Sequence, residues 1–182
     1  MDSIFDELYE KYHQDLFQFL FYMVRNREQA EDLVQEVYMK VLRSYDRFEG
    51  RSSEKTWLLS IAKHVAIDFF RKQRSWRYKI MKTFDWTVQP LHDPSPLPEE
   101  IAVQNEEIQL MYRCLGGCTI DQRLVVVLRF IQGLSVAETA EALGWTESKV
   151  KTTQHRALKR LRQQMEEEAA KGGWHHEKIP ME

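Results

Sequence analysis

The sequence predicts an all-α protein of two small helical domains joined by a proline-rich flexible linker. Three observations predict it. Apolar residues recur at helical spacing through most of the 182 residues, with no sustained strand-like alternation. Four of the five prolines fall between Pro90 and Pro98, in TVQPLHDPSPLPEE, and each disfavours helix at the residue before it. Near the C-terminus, GLSVAETAEALGWTESKVKTTQHRALKRLR reads as two helices joined by a tight turn, the second carrying six basic side chains. That is the sequence form of a helix-turn-helix, whose second helix enters the DNA major groove.

The elements follow in order. Ile4, Phe5, Leu8, Tyr12, Leu16, Phe17, Leu20 and Val24 make one helical stripe. Asn26 caps a second helix with Gln29 as its box partner, buried through Ala30, Leu33, Val34, Val37, Val41 and Leu42. Ser53 opens a third, buried through Trp57, Leu58, Ile61, Ala62, Val65 and Phe69. The division expected is residues 1–76, a linker at 77–100, a second domain at 101–165, and a polar, fraying tail at 166–182. In the second domain one helix runs from Ile101 to Leu115. Thr119 with Gln122 caps the next, with Leu124, Val125, Leu128 and Ile131 inside. In the helix-turn-helix, Ser135 and Glu138 form a capping box, and Val136, Ala140 and Leu143 face the core. Gly144 supplies a left-handed turn, Trp145 plugs it, and Thr146 caps again. Val150, Ala157, Leu158 and Leu161 point inward, which leaves Ser148, Lys149, Lys151, Thr152, His155 and Arg156 on the outside. These are the residue types that donate to phosphates and base edges. The plainer reading, a solvated hairpin with a basic face, does not call for cap, turn, second cap and one-sided basic helix together.

The net charge of −2 is unusual for a protein that binds DNA alone. Its distribution resolves this. Residues 69–84 carry six Lys/Arg and no acid, and residues 147–165 carry six and one. Residues 1–68 carry nine basic and thirteen acidic groups, and 85–118 carry one and six. Two basic patches in an acidic body imply weak DNA binding alone and acidic surface left for a protein partner.

Other classes find little support. No run of about 18 apolar residues is present, so no membrane insertion is expected. The N-terminus does not look like a signal peptide. Two cysteines form no disulfide framework, which fits a cytoplasmic location. Cys114 and Cys118 with His175 and His176 match no usual zinc spacing, so no metal and no cofactor are expected. A packing role for the cysteines, or a redox pair, remains open. No phosphate loop, nucleophile elbow or catalytic His–carboxylate set emerges, so the chain does not read as an enzyme.

Two further constellations stand out. Glu31, Asp32, Gln35, Glu36 and Lys40 line the outer face of the second helix. By themselves they read as an ordinary solvated face, with a docking surface as the alternative. Between residues 48 and 79, aromatic and basic residues interleave, ending in Phe69, Phe70, Arg71, Lys72, Arg74, Trp76, Arg77 and Tyr78. Aromatics beside a cationic track hold single strands, although Trp57 and Phe69 also lie on the apolar stripe.

The order of AEDLVQEVYMKVL, TWLLSIAKHVAIDFFRK, a proline-rich linker and GLSVAETAEALGWTESKVK resembles the extracytoplasmic-function group of bacterial RNA polymerase sigma factors, over residues 4–165. The resemblance implies two helical domains, regions 2 and 4. It implies that Glu31, Asp32, Gln35, Glu36 and Lys40 dock on the clamp coiled coil of the polymerase β′ subunit, with region 4 near the β flap. It also implies that Phe48, Arg51, Ser52, Lys55, Trp57, Lys63, His64, Arg71, Lys72 and Arg74 recognise and help melt the −10 element. A base flipped from the non-template strand would enter the loop around Phe48 to Lys55, at an unstacking cost of a few kcal/mol. Ser148, Lys149, Lys151, Thr152, His155 and Arg156 would read the −35 duplex. A membrane-anchored anti-sigma factor is the further partner implied, able to hold the protein inactive at the inner face of the membrane until a cell-envelope signal arrives.

The chain departs from the family pattern at four places. His64 replaces a common Asn, and Cys118-Thr119 a common Leu-Pro pair. Thr139 replaces an Ile, and Thr153-Gln154 an Arg-Leu pair. These leave the promoter bases open, and Gln154 either contacts adenine or faces solvent. Two readings from other classes are an ordinary helix-turn-helix regulator that binds operators without polymerase, and a protein-interaction adaptor with an idle basic helix.

Overall fold

The computed structural model describes residues 2–83 and 98–172, with side chains described for 4–76 and 98–171. The described residues form helices and short turns only. In chain order these are α1 (Asp2–Val24), α2 (Arg27–Ser44), a 3-10 turn (Tyr45–Arg47), α3 (Glu54–Thr83), α4 (Glu99–Ala102), α5 (Glu106–Leu115), α6 (Ile120–Val126), a π-helical turn (Val127–Ile131), α7 (Val136–Leu143) and α8 (Glu147–Gly172).

Local chemistry starts most of these helices. The Asn26 side chain accepts from the Gln29 N–H at 2.9 Å, and Ser53 Oγ accepts from the Thr56 N–H at 3.1 Å. Thr119/Gln122 and Ser135/Glu138 each form a complete capping box, satisfying two otherwise orphaned backbone donors apiece. Thr119 uses its own N–H in that box, donating to Gln122 Oε1 at 3.1 Å, which a proline there has no hydrogen to do. Thr146 Oγ1 accepts from the Lys149 N–H at 3.2 Å at the start of α8.

α1, α2 and α3 pack as a three-helix unit around Leu16, Phe19, Leu20, Val37, Val41, Leu58 and Val65, all fully buried. Each such side chain contributes roughly 1.5–3 kcal/mol by leaving water. The second half does not stand apart. Leu124, Val125, Leu128, Leu134, Leu143 and Val150 join the same apolar cluster. A smaller cluster of Cys114, Leu115, Cys118, Val126, Ala157 and Leu161 ties α8 to α5 and α6.

Several expectations need correction. Ile101 to Leu115 is not one helix: α4 ends at Ala102, and Asn105 caps α5 by accepting from the Ile108 N–H at 3.0 Å. The Gln109 amide bridges the break, donating to the carbonyls of Ala102 and Gln104. Leu42 is 50% exposed rather than buried, because it shares a face with exposed Met39 one turn earlier, away from α1 and α3. Leu158 is also exposed, at the edge of the α8 stripe that Ala157 and Leu161 centre. α3 continues to Thr83, past residue 76, and α8 continues to Gly172, with Ala169 buried, past Met165. The proline-rich segment at 84–97 lies outside the described residues, as do His175 and His176.

Candidate functional site

The helix-turn-helix is assembled from α7 and α8. Gly144 sits at φ 67°, in the left-handed region that closes the turn without strain only for glycine. The Trp145 N–H donates to the Ala140 carbonyl at 2.9 Å. The Trp145 ring packs against the core, and the Lys149 ammonium lies 3.7 Å from its centroid. Val150, Ala157 and Leu161 bury the inner face of α8, and all six side chains from Ser148 to Arg156 expected to face DNA are exposed.

The arrangement depends on Arg129, which the sequence pattern did not reveal. Its guanidinium donates to the Leu134 carbonyl below the turn and to Gln154 Oε1 on α8 at 2.9 Å. Gln154 therefore neither faces open solvent nor has both amide atoms free for a bidentate adenine contact. Arg129 stands on the π-helical turn, whose extra residue per turn re-aims the side chains that follow.

On α2, Glu31, Asp32 and Gln35 are exposed, and Glu36 and Lys40 half-buried. Lys40 Nζ lies 3.6 Å from Glu36 and 3.9 Å from Asp68 on α3, so it braces the face against its neighbour. Arg27 pairs with Glu31 at 2.9 Å and also with Glu100 from α4.

The third set, spread over the Phe48 loop and α3, is not uniformly open. Phe48 and Trp57 are half-buried and pack against each other, ring centroids 4.8 Å apart, with Tyr45 edge-on to Trp57. Arg51 is exposed and paired with Glu49, and Ser52 is half-buried. His64 is exposed, its Nδ1 2.7 Å from the Ser60 carbonyl. Lys72 and Arg74 are exposed, and Arg71 lies 3.4 Å from Asp68. Lys55 pairs with Asp15 on α1 at 3.2 Å. Lys63 departs from the expected open placement: it is buried, with its ammonium donating to the Leu143 carbonyl at the end of α7 at 3.2 Å. Burial lowers its pKa from the ordinary lysine range.

Cys114 and Cys118 are buried free thiols. Burial pushes the Cys114 thiol up to about 11 and raises Cys118 as well, so neither supplies a thiolate at neutral pH. Among the described residues no group of three His, Cys, Asp or Glu side chains is placed to hold a metal. No described helix is long and apolar enough to cross a membrane.

Comparison with known proteins agrees with this architecture. Residues 8–76 match the family model for sigma-70 region 2, and residues 108–161 match that for sigma-70 region 4. The chain belongs to the sigma-70 family, in its extracytoplasmic-function group, a class of transcription initiation factors. It is 63% identical to the extracytoplasmic-function RNA polymerase sigma factor SigX of Bacillus subtilis over 166 residues, covering 91% of this chain and 86% of that protein. It is 34% identical to the sigma factor YlaC of the same organism, covering 90% and 92%. Two solved structures share the fold. One is the sigma factor RpoE of Bartonella quintana in complex with the anti-sigma factor NepR, with TM-score 0.72, 23% identity, and 91% and 98% of the chains covered. The other is CnrH with the cytosolic domain of CnrY, with TM-score 0.66, 20% identity, and 91% and 90% covered.

Proposed function

We propose that this chain is an alternative sigma factor that binds core RNA polymerase and directs initiation at a distinct promoter class, and that its three surfaces divide the work. The observation that carries the reading is the capped helix-turn-helix, whose second helix presents Ser148, Lys149, Lys151, Thr152, His155 and Arg156 outward on a rigid scaffold. Residues 1–76 act as region 2 and residues 101–165 as region 4. Asp32, Gln35 and Glu36 with flanking Glu31 and Lys40 dock on the β′ clamp coiled coil, and region 4 lies near the β flap. Phe48 with Trp57, Arg51, Ser52, Lys55, His64, Arg71, Lys72 and Arg74 engage the −10 single strand, while Lys63, buried against the Leu143 carbonyl, is left out of that set. The outward row on α8 reads the −35 duplex.

The charge distribution supports division of labour with polymerase. Each basic patch alone offers few phosphate contacts, and holding both on one particle raises the effective concentration of the second contact. A membrane-anchored anti-sigma factor, released by a cell-envelope signal, is the regulator this reading expects, and would hold the protein at the inner face of the membrane.

Run-off transcription with purified core polymerase on a promoter library tests the function. New starts appear only when the protein is added, and the enriched bases supply the promoter. Tight duplex binding without polymerase, with no new starts and no core binding, would instead favour an ordinary regulator. Gln35→Ala combined with Glu36→Ala is expected to weaken core binding at least several-fold, measured by fluorescence anisotropy, with the helical signal unchanged. Unaltered affinity would remove α2 as the docking face.

A further inference from the structure

Lys149 stands where a helix does not favour a cation. Its own N–H donates to Thr146 Oγ1 at 3.2 Å, which places it in the first turn of α8, at the positive end of the helix dipole. Its side chain is exposed, and among the described residues it makes no ion pair. Lys151 differs, with Glu147 at 4.0 Å. What Lys149 has instead is a ring. Its ammonium lies 3.7 Å from the centroid of Trp145, whereas the other described cations that sit over rings lie 4.9 to 5.8 Å away.

The ring is itself fixed. Gly144 in its left-handed conformation and the bond from the Trp145 N–H to the Ala140 carbonyl set the turn, and the half-buried indole packs against the core. The fold requires neither member of the pair. An aliphatic side chain also fills a turn, and an acid suits the first turn of a helix better than a lysine does. The π face engages the ammonium from one side, so its N–H donors on the other side stay free. The contact also draws the charge back towards the turn. The first helix of a helix-turn-helix crosses the phosphate backbone, so a charge drawn towards that helix lies on the backbone side of the motif.

We propose that Trp145 is a positioning residue for promoter binding, holding the Lys149 ammonium ready for a phosphate oxygen at the border of the −35 duplex. The proposal rests on the assignment of the α8 row to that duplex. A free lysine stem loses much rotamer freedom when DNA fixes it, and a ring that has already fixed it removes most of that loss. Trp145 thereby contributes to binding through Lys149 without touching DNA. The local cost of a cation at the start of α8 is then the counterpart of its use there.

A double-mutant cycle on the full chain tests this, read as the affinity of its polymerase complex for a promoter fragment from the run-off library. Lys149→Ala is expected to weaken binding roughly fivefold and to flatten the salt dependence by about one contact. Trp145→Leu is expected to weaken it about two- to fivefold, with Trp145→Phe, which keeps a weaker ring face, in between. In the Lys149→Ala background, Trp145→Leu is expected to change nothing further. A merely structural Trp145 gives the same loss in both backgrounds, and that result would overturn the proposal. So would an unaltered salt slope in Lys149→Ala, or affinity in Trp145→Leu equal to or tighter than that of the parent. If Trp145→Leu loses its helical signal, Trp145→Phe takes its place in the cycle under the same criterion. Ring-current shifts of the Lys149 side-chain protons, measured by NMR in the free chain, report the ring contact without DNA. They are expected in the parent and lost in Trp145→Leu, and their absence from the parent would likewise overturn the proposal. Failure to bind polymerase would count against the sigma function itself. The cycle run on the free chain with generic duplex at low salt, where phosphate contacts persist, would still decide the role of Trp145.

Discussion

Thr139 shows how one residue carries both a departure from the family pattern and a cost. It is fully buried in α7, and its hydroxyl has no hydrogen-bond partner. A buried hydroxyl without a partner costs about 1–3 kcal/mol. Thr139→Val keeps the shape and removes the polar atom, so it is expected to raise stability by about 1 kcal/mol, read as a higher urea midpoint at constant slope. Glu54 illustrates the reverse. Its carboxylate accepts from Lys11 at 3.1 Å and from the Tyr12 hydroxyl at 3.0 Å, and these bonds, that of Lys11 first, lower its pKa below the ordinary 4.5. A carboxylate depressed in the folded state adds stability above its unfolded value and loses it as pH falls through the folded value. The thermal-melting difference between the parent and Glu54→Gln should therefore be present near neutral pH and shrink progressively below pH 4.5. A difference independent of pH would remove the linkage. Solvent screens this partly exposed pair, so the effect is modest.

Among the elements, α8 is the clearest case of one helix with two duties. Its inner residues Val150, Ala157 and Leu161 fasten it to the core, and its outer residues are exposed and form the row proposed to face DNA. Lys151 lies 4.0 Å from Glu147, a long and exposed pair that a phosphate displaces readily. Lys151→Ala is expected to lower promoter affinity and to flatten the dependence of log affinity on log salt by about one contact. An unaltered salt slope in a binding titration would place Lys151 away from the backbone. α2 is divided along its length instead. Its polar face opens with Asp32, Gln35 and Glu36 and ends in exposed Met39 and Leu42, which an amphipathic pattern assigned in part to the core. Helical periodicity gives the angle of a side chain around its axis. It does not say where the neighbouring helix stops.

At the scale of the molecule, Arg123 is the residue on which both halves converge. It is 9% exposed, and its guanidinium donates to the carbonyls of Leu115 at 3.0 Å, Gly116 at 3.4 Å and Met23. Two of these carbonyls belong to helix ends that lack intrahelical partners. Burial brings its pKa down to about 10, so it remains charged at neutral pH. Nearby, Arg25 crosses from the α1–α2 turn to lie 5.0 Å from the Tyr112 ring, over Gly116, where a Cβ would run into its guanidinium. Arg123→Met keeps the volume but removes the bonds to those carbonyls, of which Leu115 still accepts from the Cys118 N–H. It is expected to cost on the order of 1–3 kcal/mol, measured by chemical denaturation, and to loosen the contact between halves. A variant as stable as the parent would show that the Arg123 bonds do not help to hold the halves together.

The sequence by itself determined the all-helical class, the caps at Asn26, Ser53, Thr119, Ser135 and Thr146, the left-handed glycine at Gly144, and the outward row on α8. These are legible because capping, turn geometry and amphipathic spacing act over three to five residues, within reach of a local pattern. The break at Asn105 is equally local, and an apolar run across it hid the cap. Only the tertiary structure decided that Lys63 is buried against Leu143, that Gln132 reaches α1, that Arg129 holds Gln154, and that Arg123 gathers three carbonyls. Those partners lie from 7 to 117 residues away along the chain. A long cationic or amide side chain carries no periodic signal of its destination. The same lysine spacing serves a solvated face, a DNA track or a bond to another helix's last carbonyl, and packing of the two halves makes the choice.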